Sequence, residues 1–459
     1  MTHPPRTLRL QFADDMFLRR HGGPVSPAVN QVLWRLDAPY DAERLRDLAG
    51  HLAAGALHRR VVRARVPGAR HTWAPAATLP ALDLQTAPVP ADGVATWAQT
   101  QADVPLDPAR GRAWRLSATD VQGAGAVVSL TCAHAVADGA ALIDAVVRAA
   151  THAAPVVVPE PERGVRALLA DVADAAGRTA AVARWAWARA LKVLHDRRSA
   201  PAGAATAGAD VPPPAPSHPA PSHPAPSRPA VDDAAWRAPV LHVELPSERV
   251  AAAAAERGGT PNTWFVAFLA RLVHASGRFR GEPVPVALPV ATRGPDDPRA
   301  NSTKIARVTV PADVLAARDL GWVRAAAKEA YAAVGRSEPG AVPVPLELVQ
   351  MLPDAVVHRL PQPPVAAALA SNLGRPPAGY AQAAGGAVRA VATLSHYQGA
   401  TAGELRAAGG GLVAFCTTVG PTTTLSVAAL DPDRVPDAAT LRRLVLAEAE
   451  AWRLTAVPW

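Results

Sequence analysis

Val127-Val128-Ser129-Leu130-Thr131-Cys132-Ala133-His134-Ala135-Val136-Ala137-Asp138-Gly139 is the stretch on which the reading of this chain turns. Its first six residues form a short apolar run rich in β-branched side chains, which predicts a buried strand. Asp138 is a good helix N-cap, and Gly139 leads into Leu142, Ile143, Val146 and Val147 at helical spacing. His134 therefore stands on a strand-to-helix turn, where a side chain can face a cavity. A neutral imidazole so placed is suited to take a proton from a hydroxyl or amine as that group attacks. The competing reading is a histidine satisfied in a loop, next to an aspartate that only caps a helix. With 14 histidines in the chain, H-x-x-x-D-G is expected by chance about 0.05 times.

The flanking segments add context. Phe12-Ala13-Asp14-Asp15-Met16-Phe17-Leu18 lies near the start, followed by Arg63-Ala64-Arg65-Val66. Pro105-Leu106-Asp107-Pro108-Ala109-Arg110-Gly111-Arg112-Ala113-Trp114-Arg115 precedes the histidine motif. Gly259-Thr260-Pro261-Asn262-Thr263, Pro289-Val290-Ala291-Thr292-Arg293 with Asn301, Ser371-Asn372-Leu373 and Val435-Pro436-Asp437 follow it. In this order the segments resemble those of the chloramphenicol acetyltransferase-like acyltransferases. That superfamily includes plant acyltransferases, nonribosomal-peptide condensation domains and bacterial wax ester synthase/diacylglycerol acyltransferases. The last two branches usually carry H-H-x-x-x-D-G, and here Ala133 replaces the first histidine. Thr263 and Ala300 stand where wax synthases have Asp and Gly.

The resemblance implies an α/β fold of two similar lobes with mixed sheets, around a central substrate tunnel with the histidine at its middle. It implies His134 and Asp138 as the catalytic-motif residues, His134 being the general base. Asp138 is expected to turn away from the imidazole and pair with an arginine, Arg63 or Arg293. Backbone N–H at Gly139 and polar groups of Ser371 and Asn372 are candidates for binding the oxyanion. Asn301, carried over from the same pattern, is a weaker oxyanion candidate or simply a residue that holds a loop.

The 459 residues are about half hydrophobic, enough for two sizeable cores. Net charge is +8, which would ordinarily raise nucleic acid as a partner. Yet Lys192, Lys304 and Lys328 are the only lysines, the arginines are scattered, and the sparse aromatics are not interleaved with basic clusters. Nucleic-acid binding is therefore not expected, whereas a phosphorylated carrier suits a basic surface. Cys132 and Cys416 are too few for a disulfide framework and fit a reducing cytoplasm. Cys132, two residues before His134, is read as a small core hydrophobe rather than a nucleophile. The first residues lack the apolar core of a signal peptide, and no uncharged run of 18 apolar residues exists.

The clearest boundary is residues 201–232, with Pro212-Pro213-Pro214 and a Pro-Ser-His-Pro-Ala repeat containing His218 and His223. This composition predicts an extended or disordered tether between an N-terminal lobe, 1–200, and a C-terminal lobe, 233–459. Before it, 165–198 reads as one or two helices, with Trp185 and Trp187 amid Arg184, Arg189 and Lys192. A basic amphipathic helix can lie on a membrane. Packing of its apolar face on the N-terminal lobe is favoured here, because the two tryptophans do not share a face. Beyond the tether, Ser247 is read as capping a helix that ends at Gly258-Gly259, and Thr260-Pro261 as starting the next, to about Gly277. Residues 284–288, 412–418 and 425–429 are strand candidates.

No phosphate-binding glycine loop, zinc-type Cys/His spacing, G-x-S-x-G or carrier-protein Asp-Ser-Leu segment occurs. The expected activity is acyl transfer from a coenzyme A or carrier-protein thioester to a hydroxyl or amine, in lipid or specialised-metabolite synthesis. The thioester is a co-substrate, and no cofactor or metal is expected. Two alternatives stand beside it: a wax ester or triacylglycerol synthase-like enzyme using long-chain acyl-CoA, and a non-catalytic docking protein that has kept the fold.

Overall fold

The strand read at 127–132 is the buried centre of the first of two mixed sheets. A computed structural model of the chain describes residues 7–23, 25–78, 82–199, 236–336, 345–359 and 366–459. The expected tether, with His218 and His223, lies outside the described residues. The first half of the chain contributes β1 (Ala28–Leu36), β2 (Arg59–Val62), β3 (Thr72–Pro75), β4 (Leu82–Val89), β5 (Trp114–Val121) and β6 (Ala126–Ala133). The second contributes β7 (Val240–Pro246), β8 (Val284–Ala291), β9 (Thr303–Val310), β10 (Ala368–Gly374), β11 (Val388–Tyr397), β12 (Leu412–Val419), β13 (Thr422–Ala429) and β14 (Val457–Pro458).

One sheet has the order β11-β1-β6-β5-β4, the other β14-β7-β13-β12-β10-β8-β9. Each mixes directions: β4 runs parallel to β5, and β10 runs parallel to both β8 and β12, among otherwise antiparallel pairs. All of β6 is buried, as its composition demands. Successive side chains alternate faces, so Val128, Leu130 and Cys132 enter the core beneath the motif helix, Gly139–Ala150. The second sheet packs on helix Pro261–Ala275, whose run Thr263–Ala270 is buried on every side. Thr260 caps that helix, accepting from Thr263 N. Ser247, expected as a cap, is instead the first residue of helix Ser247–Ala255, and Pro246 occupies the cap position.

All strands of the first sheet but one come from before residue 200, and all strands of the second from after residue 236. β11, from the C-terminal half, crosses over to pair with β1, Ala28 opposite Tyr397. Its Leu394 joins Val413, Phe415 and Ala428 of the second sheet in a shared apolar cluster. Trp34 of β1 donates its indole N–H to Tyr380 O at 2.7 Å, so the crossover is held at both ends.

Residues 165–198 form one continuous helix, Gly164–Ser199. The expectation that its apolar face packs on the N-terminal lobe is reversed. Its inward face carries Asp171, Asp174 and Arg178, while Val165, Leu169, Val172 and Trp187 are exposed. Specific ion pairs override hydrophobic periodicity here: Asp171 meets Arg9 at 2.9 Å and Asp174 meets Arg70 at 2.7 Å. Among the described residues no helix is long and apolar enough to cross a membrane.

Two buried histidines make the fold sensitive to acid. His242 on β7 accepts or donates one bond with Ser426 at 2.9 Å and lies against the Trp459 ring. Burial pulls its pKa from 6.5 down to about 3, and that of His396 on β11 down to about 4. Between those values and 6.5 the unfolded chain binds more protons than the folded one, so stability rises with pH across that window. The urea midpoint is expected to be flat above pH 6.5 and to fall as pH drops towards 4. Replacing both histidines by Gln should make this dependence shallower, the remainder coming from other desolvated histidines such as His58 and His71, whereas an unchanged slope would assign the effect elsewhere.

Candidate active site

The motif is fixed from both sides by backbone bonds. His134 N donates to Ala28 O of β1 at 3.0 Å, and Asp138 N donates to Ala300 O at 3.0 Å. Between them the chain turns sharply, Val136 N reaching back to Ala133 O. The imidazole of His134 is partly exposed and stacks on Phe17, ring centroids 4.0 Å apart.

Asn301 determines which nitrogen of that ring carries the proton. Its Nδ2 donates to Asp14 Oδ1 at 2.9 Å, His134 O at 3.0 Å and Ala135 O at 3.3 Å. Three acceptors around one atom identify it as the amide nitrogen. Its Oδ1 then faces His134 Nδ1 at 3.1 Å and must accept, so Nδ1 is protonated and Nε2 keeps its lone pair. Nε2 makes no hydrogen bond to any described residue. Burial lowers the His134 pKa from its ordinary 6.5, and the Asn301 bond only partly offsets this, so the ring is neutral at neutral pH.

Asp14 anchors this arrangement. Both carboxylate oxygens accept: Oδ1 takes Asn301 N at 3.1 Å besides Nδ2, and Oδ2 takes Gln11 N at 2.9 Å and Trp73 Nε1 at 3.2 Å. Burial raises its pKa, and these bonds work against that rise. Arg59 lies nearby, fully buried over the Trp73 ring and donating to Ala56 O and Pro298 O. Desolvation brings the Arg59 pKa down to about 10, with Asp14 opposing the fall.

Asp138 makes no hydrogen bond to His134. It caps the motif helix through Ala141 N at 2.9 Å and accepts from Ser302 N at 2.7 Å, Thr303 Oγ1 at 3.0 Å and Arg293 Nη2 at 3.3 Å. Of the two candidate arginines, Arg293 is therefore the partner, and Arg63 is exposed on the loop after β2. Asp138, expected with His134 among the catalytic residues, is thus held as a structural clasp. Its four partners leave it no free lone pair aimed at the ring.

The expected oxyanion residues are only partly assembled. Ser371 and Asn372 lie on β10, but the exposed Asn372 amide donates to Asn262 Oδ1 at 2.8 Å and accepts from Gly374 N at 2.8 Å. Asn372 is thus committed to its own strand end. The motif is met instead by Leu373, whose Cδ2 would lie 3.4 Å from a Cβ placed on Gly139. Cys132 is buried, and burial pushes its thiol pKa far up, so it is an inert core residue as expected. Asn301, read as a weaker oxyanion candidate or a residue holding a loop, is the principal hydrogen-bond partner of the imidazole. Asp14 and Phe17 had no assigned role, although Gln11 and Asp14 have the spacing of a capping box.

No family model and no curated protein matches the sequence. Solved structures do match over almost its whole length. The first condensation domain of the CDA synthetase is 17% identical with a TM-score of 0.56, covering 97% of this chain and 96% of that one. The condensation domain of the monacolin K polyketide synthase MokA is 12% identical with a TM-score of 0.55, over 97% and 96%. A mutant starter condensation domain of rhizomide synthetase, in complex with C8-CoA, is 13% identical with a TM-score of 0.50, over 97% and 95%.

Asp138→Ala and Arg293→Ala are each expected to destabilise the protein by about 3–5 kcal/mol, since either leaves one partner of a buried pair alone. The double variant should lose less than the sum of the two, as measured by urea unfolding. Additive losses would show that the two groups act independently. With its two mixed sheets, the crossover strand and these neighbours, the chain has the fold of the condensation domains it resembles.

Proposed function

We propose that this protein transfers an acyl group from a thioester to a hydroxyl or amine, with Nε2 of His134 as the general base. The observation that carries this reading is the Asn301 carboxamide, which leaves Nε2 unprotonated on a partly exposed ring. A buried histidine kept only for packing would not need its basic nitrogen left without a partner. The acceptor's proton passes to Nε2 as its oxygen or nitrogen attacks the thioester carbonyl. The tetrahedral intermediate then expels the thiolate, which takes the proton back from the imidazolium. Gly139 N, in the first turn of the motif helix, has no intrahelical partner and is available for the developing oxyanion.

The C8-CoA complex of the rhizomide synthetase domain supports an acyl thioester as donor for this fold. Coenzyme A and a carrier protein present the same phosphopantetheine arm. A carrier-bound acyl group is the favoured donor here, because Ala133, Thr263 and Ala300 depart from the wax-synthase pattern. Purified protein should be assayed with matched acyl-CoA and acyl-carrier donors against mixed alcohols and amines. Better turnover with acyl-CoA would favour the wax-synthase-like alternative, and a folded protein inert to every donor would favour a docking protein.

His134→Ala should lower turnover about 100- to 10,000-fold without changing the melting temperature. Because burial lowers the His134 pKa, the midpoint of the acid limb of the rate should lie below pH 6.5. Asn301→Ala removes a bond that favours the imidazolium, so its acid limb should move to still lower pH while kcat falls. An unmoved limb would remove Asn301 from the proton-transfer machinery.

A further inference from the structure

Half of the large apolar side chains exposed among the described residues lie on one helix, Gly164–Ser199: Val165, Leu168, Leu169, Val172, Trp187 and Leu191. At 100° per residue these six fall within an arc of about 140°, and along the axis they span about 40 Å. Asp171, Asp174 and Arg178 occupy the opposite arc and are tied to Arg9, Arg70 and the carbonyl of Glu347. The apolar stripe therefore faces away from the protein because the polar face has been used to attach the helix. Isolated exposed apolar residues need no explanation, but two clusters aligned on one face and joined by the exposed Ala176, Ala180 and Ala183 do.

Charge narrows the choice of occupant. Between Gly164 and Lys192 the only carboxylates are Asp171 and Asp174, both turned inward. Arg166, Arg184, Arg189 and Lys192 are exposed and make no ion pair with described residues. The surface that fits this helix is thus apolar, negatively charged and extended over tens of ångströms. A second copy of the chain would bring the same cations face to face.

We infer that the outward face of Gly164–Ser199 docks the protein on an anionic phospholipid surface, with Trp187 and the Val165–Val172 stripe entering the headgroup boundary and Arg166 and Arg184, at the flank of the stripe, facing lipid phosphate. The inference does not rest on acyl transfer. It reverses the sequence-based preference for packing this face on the N-terminal lobe, because the lobe is occupied by the other face.

The test is flotation of the full chain with vesicles of phosphatidylcholine alone and of phosphatidylcholine mixed with phosphatidylglycerol. The protein should float with the mixed vesicles and not with the neutral ones, lose that binding in high salt, and show a blue-shifted tryptophan emission. The variant Leu169→Asp/Val172→Asp/Trp187→Ser should bind at least about tenfold more weakly while keeping its melting temperature. Should that variant fail to fold, Arg166→Glu/Arg184→Glu leaves the stripe intact and should weaken binding to the mixed vesicles alone. Absence of binding, equal binding to both vesicle types, or unchanged binding by a folded variant would overturn the inference. So would a concentration-dependent dimer that the triple variant dissociates, since the stripe would then belong to a second copy.

Discussion

A single carboxamide links the parts of this site. Asn301, from the connection between β8 and β9, donates to Asp14 near the N-terminus and to the His134 and Ala135 carbonyls that follow β6. With its donors committed, it presents only an acceptor to the imidazole. The protonation state of His134 is therefore decided by contacts between segments 287 residues apart in sequence. Asp14 acts through Asn301: it touches neither the ring nor any reacting atom, yet it prevents the amide from rotating by 180° and offering N–H to Nδ1. A rotated amide would demand the other tautomer and leave Nε2 protonated.

The neighbouring aspartate does different work. Asp138 collects the motif helix, the strand start at Ser302 and Thr303, and Arg293 on one buried carboxylate. Arg293 in turn donates to the carbonyls of Asp297 and Arg299, so the loop that delivers Asn301 is braced by the same pair. The two carboxylates, Asp14 and Asp138, thus hold the adjacent residues Asn301 and Ser302 at the end of one loop. The histidine lies between them without bonding to either. The spacing of four residues in the motif reflects this arrangement, placing the aspartate at a helix N-cap, where its side chain turns back along the first turn.

Much of this was legible in the sequence because it depends on local pattern. The strand, the turn, the Asp138 cap and the helix after it follow from residues 127–147, and Thr260-Pro261 marks a helix start for equally local reasons. The crossover of β11 was not legible: Val388–Tyr397 mixes Arg389, Thr393, Ser395 and His396 with its apolar residues, and nothing in it specifies that its partner is β1, some 360 residues earlier. The choice of Arg293 over Arg63 is likewise a matter of tertiary distance. The amphipathic period of Gly164–Ser199 revealed an apolar face but not its direction, since Arg9 and Arg70, far away in the chain, capture the polar one. The role of Asp14 was hidden because one buried carboxylate leaves no periodic trace.

The account's central claim is the tautomer of His134, and it is read most directly from long-range proton–nitrogen correlation spectra of selectively labelled protein at neutral pH. The geometry predicts a neutral ring with Nδ1 bearing the proton and Nε2 free, and a mixture of tautomers in Asn301→Ala. A resting ring protonated at Nε2, or one indifferent to the loss of Asn301, would contradict it.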